Sequence, residues 1–140
     1  MQDTRRPDAD RLLCDLIRQR CGLPFAWGRR DCALWAADAV QALTGKDPAA
    51  EIRGTYRTGL QAMRLLRNLG GLHGAAARFL GRQIDVSEAR AGDVALLAGE
   101  ACVGSGAALA VLWRGWLVAQ GAPGLVTVQL SSARTMWRAA

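Results

Sequence analysis

The residues at 32, 35, 36, 39, 40 and 43 are Cys, Trp, Ala, Ala, Val and Leu. This is the i, i+3, i+4, i+7 stripe of a helix that faces a core. Asp31 directly before it is a good N-cap, which leaves Cys32 in the first turn among backbone N–H groups that lack a partner within the helix. The spacing predicts a helix that begins at Cys32 with its thiol turned inward. Ahead of it, Pro24 and Gly28 mark a turn-forming segment, and Gly28 permits a φ that other residues resist. Phe25 and Trp27 anchor that segment, either as core plugs or as platforms for a stacked substrate.

The flanking elements follow from caps and breakers. Asp8 or Asp10 caps a first helix to about Cys21, with Leu13, Cys14, Leu16, Ile17 and Cys21 inward and Arg11, Arg18 and Arg20 outward. Gly22 and Pro24 end it. The central helix stops at Thr44-Gly45-Lys46-Asp47-Pro48, and residues 49–53 form one further turn. Thr58 with Gln61 reads as a capping box before Ala62, Leu65, Leu66 and Leu69, and Gly70-Gly71 closes that helix. A fourth, over about 72–80, carries His73, the one histidine of the chain.

The period then changes. Residues 94–97, 107–113, 116–120 and 125–130 are short apolar or alternating runs divided by glycine-rich turns, and Arg114-Gly115 suits a two-residue hairpin loop. Helices first and antiparallel strands second predict an α+β fold. At 140 residues the chain fits one domain, spanning 1–140.

Charge and cysteine usage narrow the function classes. No apolar run reaches the ~18–20 residues of a membrane span. The first residues lack the apolar core of a secretory signal, so the expectation is folding in a reducing cytoplasm without disulfides. Cys14, Cys21, Cys32 and Cys102 show no C-x-x-C spacing, so neither a zinc site nor another cofactor is expected. An iron–sulfur cluster on all four is a third reading behind the two set out below. The net charge of +6 is carried almost entirely by arginine. It suits DNA, an anionic wall polymer or an acidic neighbouring subunit. The arginines are scattered along helices with no DNA-reading motif, which favours a solvated or interfacial surface over specific nucleic acid.

The run Trp27-Gly28-Arg29-Arg30-Asp31-Cys32 resembles the nucleophile segment of NlpC-type cell-wall peptidases, which are papain-like cysteine peptidases. Together with Leu43-Thr44-Gly45, Arg53-Gly54-Thr55-Tyr56, Gly92-Asp93-Val94 and Met136-Trp137-Arg138, it is similar to short phage- and prophage-encoded proteins distantly related to those peptidases. The resemblance implies a papain-like core with the cysteine helix laid on the sheet. It also implies residence in a virion, in the tail or its tip, after synthesis in the bacterial cytoplasm. Other tail proteins would be the partners, with peptidoglycan as a further contact.

The resemblance also locates what is missing. The peptidases place a histidine at the start of the strand after the Gly-Asp strand, where this chain has Ala107 or Ala108. Their third polar group falls near Ala119 or Gln120, and a glutamine cannot accept a thiol proton and return it to a leaving amine. The helix N-terminus, Arg29 and Arg30 would favour a Cys32 thiolate without supplying a proton shuttle. The candidate site is thus Cys32, as nucleophile or vestige, with Asp31, Trp27, Arg29, Arg30 and Gln120 around it. The reading is a catalytically degenerate virion component. Its rival is an active peptidase that cuts peptidoglycan stem peptides with Cys32 as nucleophile and a base from His73 or a partner chain.

Overall fold

The computed structural model describes residues 5–98 and 107–139. Among these residues four helices precede the sheet: α1 (Ala9–Arg20), α2 (Cys32–Thr44), α3 (Gly59–Leu69) and α4 (Gly71–Phe79). Six strands follow: β1 (Gln83–Ile84), β2 (Val94–Ala98), β3 (Ala107–Trp113), β4 (Trp116–Gln120), β5 (Leu125–Gln129) and β6 (Ala133–Trp137). They form one antiparallel sheet in the order β1-β6-β2-β3-β4-β5. The fold is α+β, as the change of period predicts.

The central helix is α2. Every residue of its apolar stripe is buried, and Leu34 and Ala37 on its other side are buried too, against Ala49, Tyr56 and Ala62. The stripe packs on β3 and β4, where Trp35 Nε1 donates to the Val118 carbonyl at 2.8 Å. That bond lets an indole enter the core without leaving its one donor unpaired. Gly45 caps the helix in the left-handed region, at φ 82°.

Two sequence expectations about α1 change. Cys21 lies beyond the helix end and is exposed, and Arg20, expected in solvent, is half-buried in an ion pair with Asp38. Asp38 also takes Arg53 at 2.7 Å. A carboxylate on α2 therefore gathers arginines from both sides, which periodicity cannot foresee. Asp8 is the N-cap of α1 but makes no capping bond; its carboxylate takes Arg11 instead.

Thr58 Oγ1 accepts from the Gln61 backbone N–H at 3.2 Å, but Gln61 Oε1 reaches back one residue further, to the N–H of Arg57 at 2.7 Å. The β3–β4 turn is the expected two-residue loop, with Arg114 at φ 49° and Gly115 at φ 83°. Both central residues have the positive φ that a type I′ turn requires. Residue 130, expected at the end of a strand, instead starts a 3₁₀ turn, Leu130–Ser132. Strands β1 and β6 are additions to the sequence reading.

Strand β6 lies beside β2, and this brings Gly92-Asp93 to Arg138. Asp93 is fully buried and accepts from Arg5 Nη2 and Arg138 Nη1, each at 2.7 Å, and from the backbone N–H groups of Arg90 and Ala139, each at 3.0 Å. Arg5 Nη1 also donates to the Ala91 carbonyl. Gly92 has φ 91°, and a Cβ there would stand 2.2 Å from Leu43 Cδ1. The Gly-Asp pair is thus an architectural joint, meeting α2 on one side and Arg5 and Arg138 on the other.

Candidate functional site

The loop before α2 is tied down from its backbone outward. Arg29 and Arg30 donate their N–H groups to the Ala26 carbonyl, and the Ala26 N–H donates to the Arg30 carbonyl, which closes a tight turn. Gly28 sits in it at φ 75°, and a Cβ there would be 2.2 Å from the Tyr56 carbonyl oxygen. No other residue fits. On the far side, the Phe25 N–H donates to the Ala122 carbonyl and the Leu125 N–H to the Cys21 carbonyl, which stitches the loop to the β4–β5 hairpin.

Asp31 is the hub of this segment, and it is buried. Its Oδ1 accepts from the Leu34 N–H at 2.9 Å as the helix cap, and Oδ2 accepts from the Gly28 N–H at 2.9 Å and from the Tyr56 hydroxyl at 2.5 Å. Three donors converge on one carboxylate. The Tyr56 phenol is pushed far above its ordinary pKa by burial first, then by the negative charge of Asp31 and its hydrogen bond, with a further push from Cys32. Tyr56 therefore stays a neutral donor and is no proton acceptor near neutral pH.

Cys32 is buried at the first position of α2 and borders a cavity of about 40 Å³, whose other walls include Trp27, Tyr56, Leu65, Leu66 and Leu72. That space admits a few water molecules. Trp27 stands edge-on to Phe25 with ring centroids 4.7 Å apart, and its indole lies over Gly59, where a Cβ would be 3.1 Å away. The indole is a wedge between the loop and α3, in keeping with its reading as a core plug.

The other candidates do not line that cavity. Arg30 turns its Nε to the Pro24 carbonyl at 2.8 Å, and Arg29 is exposed. Gln120 is fully buried, and its Nε2 donates to the Leu23 and Gly121 carbonyls, each at 3.0 Å, so its amide fastens the loop to β4. His73 is on the exposed side of α4 with its ring edge-on to Trp137, centroids 5.3 Å apart, while Leu72 and Ala75 of that helix face the Cys32 cavity. On β3, Leu109 shares a crevice with Ala33 and Ala36. Strand alternation puts Ala107, two residues earlier, on that same α2-facing side.

Tyr56 is the site residue that sequence reasoning missed. Its signal was slight: the one tyrosine of the chain, next to a polar turn, whose hydroxyl needs a partner once buried. Of the four cysteines, Cys14 is half-buried, Cys21 is exposed with its thiol against the Arg18 carbonyl, and Cys102 lies outside the described residues. Among the described residues no group of three or more His, Cys, Asp or Glu side chains is placed to hold a metal ion. No helix there is long and apolar enough to cross a membrane.

A comparison with curated proteins finds no match. Residues 4–139 match the model of DUF6950, a domain of unknown function, and so nearly the whole chain, from the Arg5–Asp93 joint to Arg138, is covered. The chain belongs to the DUF6950 family.

Proposed function

We propose that this protein is a structural component of a phage or prophage virion, in the tail or its tip, and that it keeps a papain-like, NlpC-type core as a packing unit without peptidase turnover. A cysteine at the start of a buried helix, laid on an antiparallel sheet whose Gly-Asp strand pairs with the next strand, supports the papain-like reading. The virion role rests on the resemblance of its motifs to short phage-encoded proteins.

A reading without turnover is supported by the state of the described proton-handling groups near Cys32. Among the described residues, the neighbouring carboxylate already accepts three hydrogen bonds, the tyrosine is locked as a donor, and the histidine lies on the exposed side of α4, edge-on to Trp137. General acid–base catalysis typically contributes about a hundredfold to ten-thousandfold in rate, and a peptidase built on Cys32 would need a base that these groups do not supply.

The test pairs two measurements on wild type and Cys32→Ala. Purified protein should release no stem-peptide fragments from peptidoglycan, and particles carrying Cys32→Ala should assemble and infect like wild type. Fragment release that disappears with Cys32→Ala would establish the peptidase instead.

A further inference from the structure

Residues 52–84 contain six arginines and no carboxylate. Two of these arginines are paired with acids outside the stretch, Arg53 with Asp38 and Asp47, and Arg78 with Glu51. Helix α3 is different. Ala62, Leu65 and Leu66 turn to the core, while Leu60, Met63, Arg64 and Arg67 fall within about a third of the helix circumference on the opposite side. All four are exposed, Leu60 at 64% and Met63 at 38%, and none of the ion pairs among the described residues involves Arg64 or Arg67.

From this juxtaposition we infer that the outer face of α3 is the docking surface for an acidic, amphipathic segment of a neighbouring protein, with its carboxylates on Arg64 and Arg67 and an apolar side chain between Leu60 and Met63. The inference rests on the assembly reading above and names the face that assembly uses. A nucleic-acid backbone would meet the arginines but offers nothing to cover Leu60 and Met63. An anionic membrane is a poorer fit, because an interfacial helix needs a broad apolar face, and most of the apolar face of α3 already packs on its own domain. A carboxylate-bearing helix or strand answers both features. Arginine holds carboxylates in two-point geometry, and methionine adapts to the apolar side chain set against it. The arginines would govern which partner docks and how salt weakens it, and the apolar pair would supply the buried contact.

The experiment is done in the phage. Leu60 is replaced by the photo-crosslinker p-benzoylphenylalanine, and particles are irradiated and analysed by mass spectrometry. In parallel, incorporation is measured for Arg64→Glu/Arg67→Glu, Arg64→Lys/Arg67→Lys and Leu60→Ser/Met63→Gln, each checked for a wild-type melting curve. The expected result is a crosslink to one virion protein, within a segment of net negative charge. Incorporation should fall at least tenfold for the glutamate pair and severalfold for the Ser/Gln pair, with the lysine pair retaining most of it. Wild-type incorporation of both disruptive variants, or a crosslink to nucleic acid or lipid, overturns the inference while leaving the assembly reading standing. Particles that lack the wild-type protein altogether overturn the assembly reading itself.

Discussion

At the scale of the residue, Asp31 does more for the molecule than the cysteine beside it. It caps α2, fixes the Gly28 turn and anchors Tyr56. Loss of a cap costs about 0.5–2 kcal/mol and loss of a hydrogen bond to a charged group about 1.5–3 kcal/mol, so Asp31→Ala should destabilise the fold by about 2–4 kcal/mol in urea denaturation. Cys32→Ala, by contrast, should cost only about 1 kcal/mol, since it removes one small buried atom. Tyr56 carries a pH signature. Its folded pKa lies far above the unfolded value near 10, so its contribution is complete below about pH 10 and declines as pH rises beyond that. Melting curves taken from pH 8 to 11.5 should show this decline in wild type and a flatter profile in Tyr56→Phe, which starts less stable at neutral pH.

At the scale of the element, two glycines decide how helices meet their neighbours. Gly28 lets the loop approach Tyr56, and Gly92 lets β2 begin against Leu43 near the end of α2. Gly92→Ala would push a Cβ into Leu43 in a conformation that alanine resists, and should cost about 2–4 kcal/mol. Leu43→Ala in the same chain should recover part of the steric portion, a coupling that a double-mutant cycle reads directly. Strict additivity of the two substitutions would show that the contact is not what limits residue 92. The helix ends and most strands were legible because caps, αL glycines and period-2 runs are local signals. Strands β1 and β6 were not, since a two-residue strand has no period and β6 mixes Arg134 and Thr135 with Met136 and Trp137.

At the scale of the whole molecule, Asp93 joins Arg5 to Arg138 across 133 positions of chain in a largely buried ion cluster whose carboxylate is fully enclosed. Removing one partner from such a cluster leaves buried guanidinium charge and typically costs about 3–5 kcal/mol. Asp93→Ala should therefore lower stability by that amount. It should also open both ends of the described chain to limited proteolysis before global unfolding, whereas Arg11→Ala, which breaks only exposed pairs, should do neither. Equal protease protection in Asp93→Ala and wild type would show that the termini are held by other contacts.

The amino-acid sequence by itself determined the buried helix behind Asp31, the helical first half and the strand-rich second half. These follow from periodicity, caps and residue identity, which act over a few positions. Only the tertiary structure decided that Asp31 is held by Tyr56, that Gln120 secures a loop, that His73 rests on Trp137 and that Asp93 ties Arg5 to Arg138. Each of these is a contact between segments far apart in sequence. Such partners are chosen by which buried polar group must find a donor or acceptor once the layers close, and no local pattern records that choice.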